Sequence, residues 1–207
     1  MFEPAGFALF LLAALALVWT PGPDMALLFA RTLGGGARDG LLALTGMIVG
    51  IMLHTTLVAV GLAALFAASV LAFSVVQYVG AAYLIWLGVQ ALRARAVSLD
   101  EGAPSRRYSA RALLAQGFLS NALNPKVALF FLAFLPQFAD GQRAPLGIQI
   151  AVLGATFAAL GFSNYALLAL LVARSRRLFT PAWRTAMTRI SGAVMIAAGA
   201  RLALADR

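Results

Sequence analysis

Cysteine is missing from this 207-residue chain, which excludes disulfide frameworks, thiol redox relays and thiolate metal sites. Histidine occurs once, at His54, so no multi-histidine metal centre can be built. Charge is scarce as well. Asp, Glu, Lys and Arg make up 11% of the residues, against 62% hydrophobic ones. A soluble domain of ordinary composition is about 25% charged and about 45–50% apolar. There are too few charged side chains here to cover a water-facing surface, and far too many apolar ones for a disordered chain. What remains is an all-α polytopic membrane protein embedded in a lipid bilayer.

The charge that is present is unbalanced, with 16 basic and 7 acidic residues and a net charge of +9. A basic excess of this size also suits nucleic acid, but its placement argues against that. The arginines stand in short clusters between long apolar runs: Arg93 and Arg95; Arg106, Arg107 and Arg111; Arg174, Arg176 and Arg177. Loops on the cytoplasmic side of a membrane protein have this pattern.

The opening, Met1 to Thr20, has no basic start and no small-x-small cleavage site, so it is expected to be a retained first span, Pro4 to Phe29, rather than a signal peptide. From Gly40 to Leu92 there is no Asp, Glu, Lys or Arg over 53 residues. As one helix this run would be about 80 Å long, against a hydrocarbon core of about 30 Å. It therefore holds two spans, with a turn expected near Ala68 to Ser74. Further spans are expected over Ala112 to Leu135, Leu146 to Ala173 and Thr185 to Leu204, making six. Alternate loops then divide the arginines eleven to three. The positive-inside rule places both termini outside the cytoplasm.

The polar stretch 93–111 reads as a cytoplasmic linker between two halves, residues 1–92 and 112–207, of one membrane domain. A shift of 104 residues brings Thr20-Pro21 onto Asn124-Pro125, Gly50 onto Gly154 and Gly88 onto Gly192. Three spans per half is an odd number, so the halves have opposite topology. This is the inverted repeat of many secondary transporters, whose sites lie where broken helices meet near the midplane.

Both breaks carry residues suited to a site. Thr20-Pro21-Gly22-Pro23-Asp24 cannot be regular helix, because Pro21 and Pro23 each remove a donor and Gly22 adds freedom. The carbonyls freed near Ala16 to Trp19 then need partners. Asp24 follows the break, near the positive end of a new half-helix. An intramembrane carboxylate is functional by default, here binding a substrate ammonium or carrying a proton, with a structural cap or ion pair as the plainer alternative. Asn124-Pro125-Lys126 reads as a helix start, with Asn124 the N-cap and Pro125 in the first position. Lys126, the only lysine in the chain, needs an anion there, either Asp24 or a substrate carboxylate. The expected pairing is between Asp24 and Lys126, with a zwitterion inserting between them. Asn121 shares the face of Asn124. His54, Gln77, Tyr83 and Asn164 are candidates for cavity lining or proton relay, with helix packing as the alternative for His54, Gln77 and Tyr83.

These residues carry a family resemblance. The first is Thr20-Pro21-Gly22-Pro23-Asp24. Gly46, Gly50 and His54 follow, then the run Tyr78 to Gly88, then Gln116 to Lys126, with Phe130, Phe131 and Pro136-Gln137-Phe138. Together they resemble the LysE/RhtB translocators, the lysine and homoserine/threonine exporters, over nearly the whole chain. The resemblance implies an exporter of amino acids in a bacterial inner membrane, driven by the proton-motive force and without a cofactor. It also implies that Asp24 and Asn124-Pro125-Lys126 lie on the family's site motifs. That family accepts Asn in place of Asp24, which favours substrate or backbone contact over an obligatory proton carrier. The competing readings are a cation or toxic-metal exporter of the same fold, disfavoured by the missing thiols, and a membrane-embedded enzyme. For the enzyme there is no H-E-x-x-H motif, no paired mid-span carboxylates and no nucleophile with a histidine partner. The identity of the amino acid and the oligomeric state, a homo-oligomer included, stay open.

Overall fold

The computed structural model describes residues 1–68, 70–93, 108–175 and 181–204, with the side chains at 62–74, 76–77, 181–184, 187 and 202 excepted. Every regular element among them is helical: α1 (Pro4–Trp19), α2 (Pro23–Ala68), α3 (Val70–Arg93), α4 (Ala110–Ala122), α5 (Pro125–Leu129), α6 (Leu146–Arg174) and α7 (Pro181–Ala203). A π-helical turn (Phe130–Phe134) and a 3₁₀ turn (Leu135–Phe138) continue α5. Among the described residues, two helical segments are long and apolar enough to cross a membrane, Pro23–Gly61 and Leu146–Arg174. The pair Ala110–Ala122 and Pro125–Phe138 qualifies as a third when taken as one span bent by 49°. Large apolar side chains such as Leu57, Val60, Val75, Leu167 and Ile190 are more than half exposed, as expected for surfaces that lipid covers.

Both expected breaks are present. α1 ends at Trp19, Thr20 turns extended (φ −70°, ψ 125°), and α2 starts at Pro23. α4 ends at Ala122, and α5 starts at Pro125 with Asn124 as its N-cap. The stretch expected as a first span, 4–29, thus runs across this break into the start of α2. There the chain departs from helical geometry at Gly36 (φ 81°, ψ −177°), a region open in practice only to glycine. That turn separates the short segment after the break from the long helix that follows. Of the turn expected over 68–74, Ser69 lies outside the described residues; α2 runs to Ala68 and α3 already starts at Val70. Of the linker expected over 93–111, residues 94–107 are likewise outside the described residues, while Arg93 ends α3 and α4 already starts at Ala110.

Close packing rests on small residues, as is usual between membrane helices. α2 lies against α4 and α6, and α3 lies against α7. A Cβ on Gly46 would overlap the Leu114 carbonyl, and one on Gly117 the Ala43 carbonyl, so α2 and α4 meet backbone to backbone. Gly88 and Gly192 do the same for α3 and α7, each lying against the other's carbonyl. Phenylalanines fill the centre on one side of the breaks. Phe130 packs on Phe134 and Phe157, Phe134 on Phe138, and Phe138 on Phe10, with ring centroids 4.9–5.6 Å apart.

Candidate functional site

The two breaks face each other, and each is completed by side chains from elsewhere in the fold. In an unbroken helix the Leu17 carbonyl would accept from residue 21 and the Trp19 carbonyl from residue 23. Both positions are proline and have no N–H. The Lys126 ammonium takes the first of these places. It donates to Leu17 O at 3.1 Å and to Thr20 O at 2.8 Å. Tyr165 on α6 donates its hydroxyl to Val18 O at 2.9 Å. The Thr20 hydroxyl folds back onto Ala16 O at 2.7 Å and lies against Met195 of α7. The carbonyl end of α1 is therefore a cradle of oxygens with a lysine seated in it. Gly22 leaves the room, since a Cβ there would stand 3.2 Å from Lys126 Nζ.

Asp24 has a different set of partners. Its Oδ1 accepts from the Ser120 hydroxyl at 2.7 Å, and its Oδ2 accepts from Asn121 Nδ2 at 2.7 Å and Asn124 Nδ2 at 3.2 Å. Asn124 works twice, because its Oδ1 also caps α5 by accepting from Lys126 N at 3.1 Å. Asp24 and Lys126 are 5% and 6% exposed; burying charge this deeply costs heavily unless it is hydrogen-bonded. The expected ion pair between them is absent. Among the described residues the salt bridge formed is Arg143 with Asp140 at the surface. The reason is geometric. The break supplies Lys126 with carbonyl dipoles, and the α4 end supplies Asp24 with three neutral donors, so each charge is compensated separately.

A cavity of about 30 Å³ lies between the two charges, bounded by Leu17, Val18, Asp24, Asn121, Lys126 and Tyr165 and by apolar side chains of α2 and α6. That is room for a water or two, not for an amino acid. Asn121 is one of the wall residues, and its Oδ1 is buried with no hydrogen-bond partner, close against Gly50 of α2.

The structure thus brings Thr20, Gly22, Asp24, Asn121, Asn124 and Lys126 together, with Pro21, Pro23 and Pro125 forming the breaks. The other candidates stand farther back. His54 is buried, with Nε2 3.2 Å from Asn121 O and its ring against Phe131. Asn164 accepts from Trp19 Nε1 at 3.2 Å and so holds the end of α1 from α6. Tyr83 stacks on Trp86 of its own helix, away from the cavity. Gln77 lies on α3 with its side chain outside the described residues. Ser120 and Tyr165 were not singled out from the sequence. Ser120 adjoins Asn121 and Tyr165 adjoins Asn164, and that adjacency was their only signal.

Comparison with known proteins gives a consistent picture. The model of the family described as "LysE type translocator" matches residues 15–206. An uncharacterized membrane protein of Vibrio cholerae is 35% identical over 198 residues, 95% of each chain. The homoserine/homoserine lactone efflux protein of Salmonella typhimurium is 33% identical over 199 residues, again 95% of each chain. The leucine efflux protein of Klebsiella pneumoniae is 29% identical over 161 residues, 78% of this chain and 76% of its own. No solved structure gives a significant match.

Proposed function

Because this chain belongs to the LysE type translocator family, we propose that it exports neutral amino acids across a bacterial inner membrane, coupled to the proton gradient. The observation that carries the reading is the separate compensation of one carboxylate and one ammonium at facing helix breaks. A zwitterion brings one charge of each sign and can exchange partners with both. Its ammonium suits the α1 carbonyls, the unpartnered Asn121 Oδ1 and Asp24. Its carboxylate suits the Ser120 hydroxyl and the asparagine amides that hold Asp24. The rest of the cavity wall is Gly161 and the apolar side chains of Leu44, Met47, Ile48, Ile51, Val127 and Phe157, with no second carboxylate for a cationic side chain. That favours substrates of the homoserine or leucine kind over lysine, in keeping with the named relatives.

Six spans in two inverted halves are part of the proposal. Two contacts support it. The 104-residue shift equates Gly88 with Gly192 and Gly22 with Lys126, and both pairs touch. Contacts between equivalent positions arise where two halves are related by a two-fold axis.

The test is uptake of labelled homoserine, threonine, leucine and lysine into inverted membrane vesicles, with and without a collapsible pH gradient. Gradient-dependent uptake of the neutral amino acids, with little of lysine, is expected. No uptake above vesicles lacking the protein rules out amino-acid export.

A further inference from the structure

We propose that Lys126 is a tethered stand-in for the substrate's ammonium group, and that its displacement from the α1 carbonyl cradle is the step that couples export to a proton. The inference rests on the amino-acid export reading above.

An ammonium group already sits on Leu17 O and Thr20 O, at 3.1 and 2.8 Å. These are the carbonyl acceptors that a substrate ammonium needs, and one cradle cannot hold two ammonium groups. The cavity beside it is too small for an amino acid while Lys126 occupies its place. Binding of substrate therefore requires Lys126 to leave.

Its surroundings determine what leaving does. Lys126 has no carboxylate as a direct partner, because Asp24 is taken up by Ser120, Asn121 and Asn124. Once displaced, its ammonium loses both acceptors while a second cation arrives beside it, and both effects favour the neutral amine. The titratable groups around it are few: Asp24 and, behind Asn121, His54 on α2, and Tyr165 on α6. α1 brings backbone carbonyls with Leu17 and Val18, and α7 brings Met195 against Thr20. Asp24 accepts its three hydrogen bonds from neutral donors, none of them the Lys126 ammonium, so the proton to be lost is the one on Nζ.

The cycle balances. On the cytoplasmic side a zwitterion takes the cradle, one Nζ–H bond breaks, and one proton passes to cytoplasmic water. On the far side the zwitterion leaves and Nζ takes one proton from outside. The ammonium then returns to Leu17 O and Thr20 O and closes the empty site for the return. One substrate moves out for each proton moved in. Tyr165 stays on Val18 O throughout and keeps the end of α1 in shape while the lysine comes and goes.

The experiment uses the unmodified protein in detergent, with homoserine and leucine as probes. Calorimetry in buffers of different ionisation enthalpy should find one proton released per molecule bound. Between pH 5.5 and 7.5 the affinity should rise about tenfold per pH unit, as a one-proton linkage requires. Binding or export with no proton release and a flat pH profile overturns the inference and leaves amino-acid export standing. Failure of the unmodified protein to bind or export either probe overturns both. In liposomes, Lys126→Met should retain slowed counterflow with no pH dependence and should not accumulate homoserine against its gradient. Lys126→Arg, an occupant that cannot give up its proton, should fail in both assays. Gradient-driven accumulation by Lys126→Met or Lys126→Arg overturns the inference.

Discussion

Asp24 is held by three neutral donors rather than by a cation, and this sets what its variants do. In Asp24→Leu the Ser120 hydroxyl and the Asn121 and Asn124 amides lose their acceptor. Each buried group left unpaired costs about 1–3 kcal/mol, so loss of export should come with a clear fall in thermal stability. Asp24→Asn keeps one acceptor oxygen, and the Ser120 hydroxyl can rotate to accept from the new amide, so part of the export should remain. Efflux at matched expression, together with melting in detergent, checks both. Export by Asp24→Leu equal to that of the unmodified protein would remove Asp24 from the site.

Among the elements, α2 depends on one backbone conformation. Gly36 has φ 81° and ψ −177°, and a Cβ there would meet nothing within 4 Å. Gly36→Ala therefore tests backbone strain without steric crowding, and should destabilise by about 1–3 kcal/mol, measured by thermal unfolding. An unchanged melting temperature would mean that the turn between the two parts of α2 relaxes without cost. The π-helical turn gives a second prediction. Such turns widen a helix and recur at functional sites. Here the turn places Phe130 and Phe134 in the aromatic layer, on the side of the breaks away from the start of α4. Phe134 is 2% exposed. Phe134→Ala should cost about 3–5 kcal/mol and open that side, which vesicles would register as leakage of a preloaded amino acid without a gradient. Intact retention would show that closure rests on other groups.

For the whole molecule the question is how the halves sit in the membrane. The orientation proposed from the arginine distribution has the linker 93–111 and the loop after Arg174 in the cytoplasm and both termini outside. Reporter fusions after Arg95 and Arg177 should read cytoplasmic, and fusions to the C-terminus should read external. A cytoplasmic C-terminus would remove the inverted repeat. The small size of the cavity matters at the same scale. With room for a water or two between Asp24 and Lys126, no substrate passes until the helices around the breaks move apart. Trp19 on Asn164 and Tyr165 on Val18 O tie α1 to α6.

The sequence determined the membrane class, the helical composition and the positions of both breaks, because hydrophobic run length and proline act through the local backbone. Pro21, Pro23 and Pro125 lack their N–H whatever surrounds them, and Asn124 caps the helix beside it. Local chemistry of that kind also marked Asp24 and Lys126. Who partners whom depends on groups about a hundred residues apart, and only the tertiary structure decided that. Asp24 and Lys126 look like an ion pair because their charges are opposite. They are not one, since the folded chain brings Ser120, Asn121 and Asn124 to the carboxylate and the carbonyls of Leu17 and Thr20 to the ammonium. Tyr165 escaped notice for the same reason. Its hydroxyl matters through the Val18 carbonyl, 147 positions away in the chain, and no spacing rule along a sequence reaches that far.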